Sequence, residues 1–198
     1  MHPNPAFQWD DPAELRAFVR ARGFATLCFA GAEGPMIAHA PVIVTDTGDL
    51  RFHLARSNRV ARHVEGLATI ASVIDTDHYV SPDWYGSVDQ VPTWNYRAVE
   101  IEGHVRALDD TALVDQLDTL SATFETMLAP KPAWTRAKMT PGRFEAMTHA
   151  IRGFELVASA WRGTAKFAQH KSAAERIALA DALAATGRAD AAALVRPA

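Results

Sequence analysis

The 198-residue sequence contains a single cysteine, Cys28, so no disulfide can form within the chain. A lone thiol is typical of reducing compartments and excludes the disulfide-stabilised class of small secreted domains. The sequence also lacks an uninterrupted run of about 18 apolar residues, which excludes a predicted transmembrane helix. Residues 1–11 have no basic stretch followed by an apolar one, so we expect no signal peptide and a cytoplasmic location.

Basic charge is not in excess. The chain carries 20 Lys and Arg against 23 Asp and Glu, a net charge of −3 with histidine neutral. A protein of this charge has no general attraction for nucleic acid, and we predict no direct contact with DNA. The hydrophobic fraction of 48% and the charged fraction of 22% are those of an ordinary globular protein.

Several motifs of common enzyme classes are absent. The sequence has no G-x-G-x-x-G, no G-x-x-x-x-G-K-[ST] and no G-x-S-x-G, which mark dinucleotide, nucleoside triphosphate and serine-hydrolase sites. The eight histidines include no H-x-x-x-H pair, and there is no C-x-x-C. We therefore predict no metal site.

Hydrophobic periodicity and capping residues predict mostly short strands with helices inserted between them. We predict two domains, a barrel domain over 1–170 and a helical tail over 171–198. Because helix and strand do not alternate throughout, the order favours an α+β fold that is mainly β, an antiparallel barrel decorated with helices, over a doubly wound parallel sheet. Strands are predicted over 24–29, 36–45, 50–54, 68–75, 93–108 and, in two pieces broken at Arg162-Gly163, 153–169; helices are predicted over 12–22 and 58–65, from Asp109 or Asp110, from Thr140-Pro141, and from Ser172 to Gly187.

The first segment with chemical potential is His53-Leu-Ala-Arg-Ser-Asn-Arg59, where a predicted strand meets a predicted helix start. Helix N–H groups, a hydroxyl and guanidinium groups at one place favour a bound phosphate. The residues concerned are Arg56, Ser57, Asn58 and Arg59. The alternative is a plain helix cap at Ser57 with two solvated arginines.

A second segment combines aromatic and small polar residues. It comprises Tyr79–Tyr85 and Val91–Tyr96, and it is typical of a pocket for a planar ligand. The alternative is a barrel core in which Trp and Tyr find hydrogen-bond partners. Asn95 is harder to explain by packing, because asparagine is disfavoured inside a strand.

A third segment, Gly163–Lys171, lies near the C-terminus. Lys166 and Gln169 could contact a ligand there. The alternative is an exposed edge strand that ends in a turn, where lysine is common.

Together and in this order, these segments resemble the PaiB-like family of FMN-binding split-barrel proteins, whose members are usually described as negative transcriptional regulators. The resemblance covers residues from about Trp9 to about Leu183. Its matching stretches are Ala38–Pro41, Phe52–Asn58, Val80–Tyr85, Val91–Tyr96 and Lys166–Lys171. The family's usual K-L-S-Q-N-[KR] ending differs here at Ala168 and His170, whereas Lys166 and Gln169 are retained.

The resemblance implies a split β-barrel of the pyridoxamine-phosphate oxidase type, a homodimer with flavin sites at the subunit interface, and FMN as cofactor. It implies that Arg56, Ser57, Asn58 and Arg59 bind the phosphate, with support from His53, and that Thr93, Trp94 and Asn95 lie near the isoalloxazine ring. It implies a regulator, and we expect it to act without contacting DNA. The alternative is an FMN-dependent oxidoreductase acting on a small molecule.

Overall fold

The computed structural model describes residues 2–197 and contains an antiparallel sheet with five helices. The helices are α1 Pro12–Arg22, α2 Asp110–Thr126, α3 Arg143–Thr148, α4 Ala173–Ala185 and α5 Ala189–Val195. The strands are β1 Gln8–Trp9, β2 Phe24–Gly31, β3 Gly34–Val44, β4 Leu50–Ala55, β5 Ala68–Val80, β6 Thr93–Ala107 and β7 Ile151–Lys166. The strand order is β1-β7-β4-β3-β2-β5-β6, and β6 also pairs with β7. No helix within residues 2–197 is both long and apolar enough to cross a membrane.

The chain divides into two compact units, and the larger comprises residues 12–73 and 100–161. Its sheet is held by antiparallel pairs between β2 and β3, β3 and β4, and β4 and β7. The predicted alternation in β4 is confirmed. Leu50, Phe52 and Leu54 are buried, whereas Arg51 and His53, which lie between them, are only partly buried. Phe52 stacks on Phe154 with ring centroids 5.5 Å apart, so cross-strand aromatic contacts form the centre of this core.

Two glycines let neighbouring elements approach closely in the larger unit. A Cβ on Gly103 of β6 would lie 2.0 Å from the carbonyl oxygen of Val157 in β7. A Cβ on Gly153 would lie 3.1 Å from a methyl group of Leu113 in α2. Gly103 therefore admits no side chain without movement of the β7 backbone, and Gly153 provides the space in which α2 packs on the sheet.

A buried carboxylate with two arginines lies in the same unit. Glu155 of β7 is 2% exposed, and its Oε1 accepts a hydrogen bond from Arg51 Nε at 2.9 Å. Its Oε2 accepts one from Arg106 Nε at 2.6 Å and another from the same guanidinium. Both carboxylate oxygens are thus satisfied, as a buried charge requires.

The smaller unit comprises residues 2–11, 74–99 and 162–197. Here β1 pairs with β7 through Trp9 and Gly163. Helix α4 begins with the predicted capping box, in which Ser172 and Glu175 bond each other's backbone N–H groups. The two C-terminal helices bury Leu179, Leu183 and Val195 against Val80, Tyr85 and Phe167.

Three predicted elements differ from the structure. The predicted helix over 58–65 is wrong: this segment is a series of turns in which N–H groups bond carbonyls three residues back, as Ala61 does to Asn58. The Asn58 side chain accepts a hydrogen bond from Val60 N at 3.1 Å, and such local bonds compete with helix formation. The predicted strand break at Arg162-Gly163 is also wrong, since β7 is continuous. Finally, β5 extends five residues beyond the predicted end at Asp75.

Candidate functional site

The segment Arg56–Arg59 follows β4 as an exposed turn. Arg56 is fixed by two bonds, from its backbone N to Ala150 O at 2.8 Å and from its Nε to His149 O at 2.9 Å. Within residues 2–197 the side chains of Ser57 and Arg59 have no hydrogen bond or ion pair. Because the expected helix is absent, no helix dipole contributes here. Guanidinium and hydroxyl donors remain, and they are suited to an oxyanion.

Arg59 also lines a cavity of about 510 Å³. The other lining residues are 31–36, in the hairpin between β2 and β3, together with His63 and Leu67. This volume lies within the usual range of small-molecule pockets. The unpaired Arg59 therefore faces a space that can hold a ligand.

His53 is half-buried in β4, and its Nδ1 lies 3.4 Å from the side-chain amide of Gln116 in α2. The amide of Gln116 is satisfied when its oxygen accepts hydrogen bonds from the backbone N of Phe52 and of His53 and its nitrogen donates to Phe52 O, each at 3.3 Å. Burial lowers the pKa of His53 below its ordinary value, so the ring is neutral at pH 7. Its support of the phosphate segment stays a prediction. Gln116, fully buried, was not singled out in the sequence, although a glutamine three residues after Leu113 on an apolar helix face is a usable signal.

Thr93 and Lys166 are brought into direct contact. Lys166 Nζ donates a hydrogen bond to Thr93 Oγ1 at 2.7 Å and lies 5.8 Å from the centre of the Phe7 ring. No carboxylate pairs with this ammonium within residues 2–197, and desolvation lowers the pKa of Lys166. A desolvated cation beside a hydroxyl is a suitable partner for a polar edge of a ligand.

Some aromatic residues of the second segment lie in the core, and others are exposed and could form a planar-ligand pocket. Tyr85 is buried and Trp84 packs partly buried against the C-terminal helices, as a core requires. Trp94 is 55% exposed and meets the exposed Tyr79 edge to face, with ring centroids 6.2 Å apart. This exposed pair is available to a planar ligand.

Asn95 is buried, and its Nδ2 lies 3.4 Å from Nε2 of His78 in β5. Burial lowers the pKa of His78, and the positive charge of Arg188 lowers it further, while Asp77 raises it. With Asn95 donating to Nε2, the ring proton of the neutral His78 is on Nδ1. This atom is buried and has no partner in the described chain. His78 was not identified from the sequence, because burial in β5 changes from odd to even positions after Val73.

The side chain of Gln169 forms hydrogen bonds to the backbone of its own turn. Its Oε1 accepts from Phe167 N at 2.7 Å, and its Nε2 donates to Ala165 O. These bonds stabilise a turn in which Ala168 has a φ of +62°. A contact between Gln169 and a ligand stays a prediction.

The predicted site residues thus form two groups, each placed within one unit. Arg56, Ser57, Asn58, Arg59 and His53 belong to the larger unit, and Thr93, Trp94, Asn95, Lys166 and Gln169 belong to the smaller unit.

Comparison with known families gives a match over residues 1–160 to the family described as "Putative FMN-binding domain". The chain belongs to this family. FMN, the cofactor implied by the resemblance, is therefore the cofactor of its family. In the larger unit, the unpaired guanidinium of Arg59 and the hydroxyl of Ser57 are chemically suited to the phosphate of this group. In the smaller unit, the Lys166–Thr93 pair is by itself suited to a polar ring edge.

Individual relatives agree with the family. The chain is 25% identical over 170 residues to "Protease synthase and sporulation protein PAI 2" of Bacillus subtilis, covering 84% of this chain and 81% of the relative. Among solved structures, the FAD and heme binding protein of Mycobacterium smegmatis matches with a TM-score of 0.60 and 18% identity, over 80% of this chain and 73% of that chain. The flavocytochrome Anf3 of Azotobacter vinelandii matches with a TM-score of 0.62 and 13% identity, over 84% and 72%. The split-barrel fold is thereby confirmed.

Proposed function

We propose that this chain binds FMN with its phosphate on Arg56, Ser57, Asn58 and Arg59. The observation that carries the proposal is the exposed, unpaired Arg59 beside the 510 Å³ cavity. Arg56 contributes a guanidinium already oriented by the carbonyl of His149, so little side-chain freedom is lost when it meets an anion. Asn58 holds the turn through Val60.

The residues proposed for the flavin ring are Thr93, Trp94 and Asn95. Trp94 offers an exposed aromatic surface, and Lys166 offers an ammonium already positioned by Thr93. The bound flavin supplies the redox chemistry, whereas these side chains place and polarise it. The side chain of Asn95 is oriented by its hydrogen bond to His78.

We expect FMN to bind better than riboflavin. Only FMN carries the phosphate that Arg56 and Arg59 would contact. Each hydrogen bond to a charged group contributes about 1.5–3 kcal/mol, so two of them predict a difference of more than about tenfold in Kd. Titration calorimetry with both flavins measures it, and equal affinities would contradict the proposed phosphate site.

We further propose that the protein regulates without direct contact to DNA, as a PaiB-like protein. Its basic residues outside the phosphate segment are largely engaged within the protein. Lys131 pairs with Glu125, Arg136 with Asp118, and Lys138 donates to the carbonyl of Ala133. Lys131 and Arg136 are each neutralised by a carboxylate, and cations paired in this way release few counterions from DNA, which reduces the main source of affinity.

The C-terminal helices also support this proposal. Helix α5 has seven residues, carries Asp190 in its first turn and buries Ala191, Ala192 and Val195 in the core. Arg196 pairs with Asp181 of α4, and Arg176 donates to the carbonyl of Val195. A recognition helix needs a free polar face for the major groove, and α5 does not present one.

We predict no sequence-specific DNA binding by the isolated protein at physiological salt. Gel-shift and footprinting series against genomic fragments, at low and at physiological salt, measure this. Residual binding at low salt should fall steeply as salt rises, since only counterion release would drive it. A protected site that persists at physiological salt would restore direct repression.

A second candidate function is an FMN-dependent oxidoreductase acting on a small molecule. Lys166 favours it, because its ammonium, held by Thr93, can donate a hydrogen bond to the polar edge of a bound flavin ring and polarise it. The M. smegmatis and A. vinelandii proteins that share this fold, a FAD and heme binding protein and a flavocytochrome, support redox use of the fold. Bleaching of the flavin spectrum by NADH or NADPH under anaerobic conditions distinguishes this function from a purely regulatory one.

We propose a homodimer, formed through the outer face of strands β2, β3 and β5. In the sheet register, Cys28 of β2 lies between Ile37 of β3 and Ile70 of β5. Phe24, Ile37 and Ile70 are each more than two-fifths exposed on this face. A sheet face with several exposed large apolar side chains is typical of a protein interface, and the row Thr26, His39 and Ser72 adds polar groups to it.

Light scattering is expected to give about twice the 21.5 kDa mass of one chain at micromolar concentration. Ile37→Glu should convert the dimer to a monomer, because a carboxylate would be buried in an apolar interface. Ile177→Glu, at an exposed position of α4, is the matched control and should leave the mass unchanged. A monomeric wild-type protein would contradict the proposal.

A further inference from the structure

Residues 86–92 connect the 3-10 turn Pro82–Tyr85 to the start of β6 and form neither helix nor strand. We refer to them as the connecting loop. It includes Asp89 with a φ of +59°, and its Val88 and Val91 side chains are strongly exposed. The loop leads directly into Thr93, Trp94 and Asn95. Its conformation therefore sets where the first residues of β6 begin.

Two residues of the C-terminal segment, Lys171 and Glu175, form hydrogen bonds to the connecting loop. Glu175 Oε1 accepts hydrogen bonds from Ser87 Oγ at 2.8 Å and from Gln90 Nε2 at 3.3 Å. Lys171 Nζ donates to Gln90 Oε1. A carboxylate and an ammonium four residues apart in the C-terminal segment thus engage the Ser87 and Gln90 side chains of the loop.

The same two residues are themselves held in place. Glu175 Oε2 accepts from Ser172 N at 2.9 Å and from Ser172 Oγ at 2.8 Å, and these bonds with those of Ser87 hold the pKa of Glu175 at about 2. Lys171 lies 5.0 Å from the centre of the buried Tyr85 ring. Glu175 is therefore a fixed anion at any physiological pH.

We propose that Lys171 and Glu175 are positioning residues for the flavin ring: they hold the connecting loop so that Thr93–Asn95 is preformed before FMN binds. The proposal rests on the proposed placement of the ring on these residues. It assigns a role to residues 171–185, which lie beyond the family match that ends at residue 160. If a site adopts its binding-competent conformation in only a fraction of the molecules, its apparent affinity for the ligand is reduced by that fraction.

The bonds to the loop can be separated from the helix cap that shares Glu175. Ser87→Ala with Gln90→Ala removes the loop's bonds and leaves the cap. Ser172→Ala removes the hydroxyl of the cap but keeps the backbone bond from residue 172 N to Glu175 Oε2, so Glu175 Oε1 keeps its bonds to the loop. Ser87→Thr keeps a hydroxyl at position 87 and serves as the conservative variant.

In the flavin-free protein, hydrogen exchange of residues 86–92 should speed up in the S87A/Q90A variant and remain unchanged in S172A. The Kd for FMN should rise about fivefold to tenfold in S87A/Q90A, with little change in Tm, and the long-wavelength flavin absorption band should shift. S172A should lower Tm and keep the wild-type Kd. S87T, which keeps a hydroxyl at position 87, should have the wild-type exchange rate and Kd.

Unchanged exchange and unchanged Kd in S87A/Q90A would overturn the positioning role while leaving the FMN proposal intact. A loss of affinity in S172A equal to that in S87A/Q90A would also overturn it, because affinity would then follow stability alone. Failure of the wild-type protein to bind FMN would overturn the proposed function, and the positioning role with it.

Discussion

Replacing Arg56 and Arg59 together by alanine is expected to abolish retention of FMN during purification. Each guanidinium supplies hydrogen bonds to a charged phosphate worth about 1.5–3 kcal/mol, so losing both should weaken binding by about two to four orders of magnitude. Arg59 has no partner in residues 2–197 that its removal would disturb, and Arg56 bonds only the carbonyl of His149 through its side chain. The measurement is FMN titration followed by flavin fluorescence.

Arg62→Ala is the matched control for this variant. Arg62 is exposed in the same series of turns, three residues after Arg59. Its removal takes away one positive charge from the same turns, against two in the double variant, without touching the proposed phosphate ligands, so the Kd should change less than about threefold at physiological salt. The double variant should keep the wild-type mass and Tm. Retention of FMN by R56A/R59A would place the phosphate elsewhere.

Removing Arg51 and Arg106 together is expected to destabilise the protein by about 3–5 kcal/mol, because it leaves the buried Glu155 without either of its cations. For a chain of this length the corresponding fall in Tm is about 6–20 °C. Differential scanning calorimetry measures it. FMN binding should persist in the fraction that remains folded, since neither arginine belongs to the proposed site.

The control for this stability prediction is Asp118→Ala. Asp118 forms an exposed ion pair with Arg136, and exposed pairs contribute about 0–1 kcal/mol. Its Tm should therefore stay within a few degrees of the wild type. A fall for R51A/R106A no larger than that for D118A would contradict a stabilising role of the Glu155 cluster.

Local signals in the sequence predicted local structure well. The Ser172–Glu175 capping box, the Asp109 cap of α2 and the alternation of β4 are confirmed, because each depends on residues within a turn or a strand of one another. The helix predicted over 58–65 failed for a related reason. Its apolar residues Val60 and Val64 have helical spacing, but the Asn58 side chain bonds the Val60 amide and stabilises a turn instead.

Contacts between distant parts of the chain could not be predicted. The His78–Asn95 and His53–Gln116 pairs join residues 17 and 63 positions apart, and no spacing rule relates them. The Lys166–Thr93 pair spans 73 positions, and the resemblance named both residues without indicating that they touch. Sequence reasoning thus found most of the proposed ligands, whereas the groups that orient them became visible only in the structure.

The residue at which the family match ends matters for the design of truncated fragments of this protein. Residue 160 falls inside strand β7, Ile151–Lys166, six residues before that strand finishes. A fragment ending there would lose the partner of Trp9 and would strip Val80 and Tyr85 of the cover given by Phe167, Leu179 and Leu183. The family match is therefore shorter than the folded unit, and a fragment meant to fold should include the alanine-rich C-terminal helices.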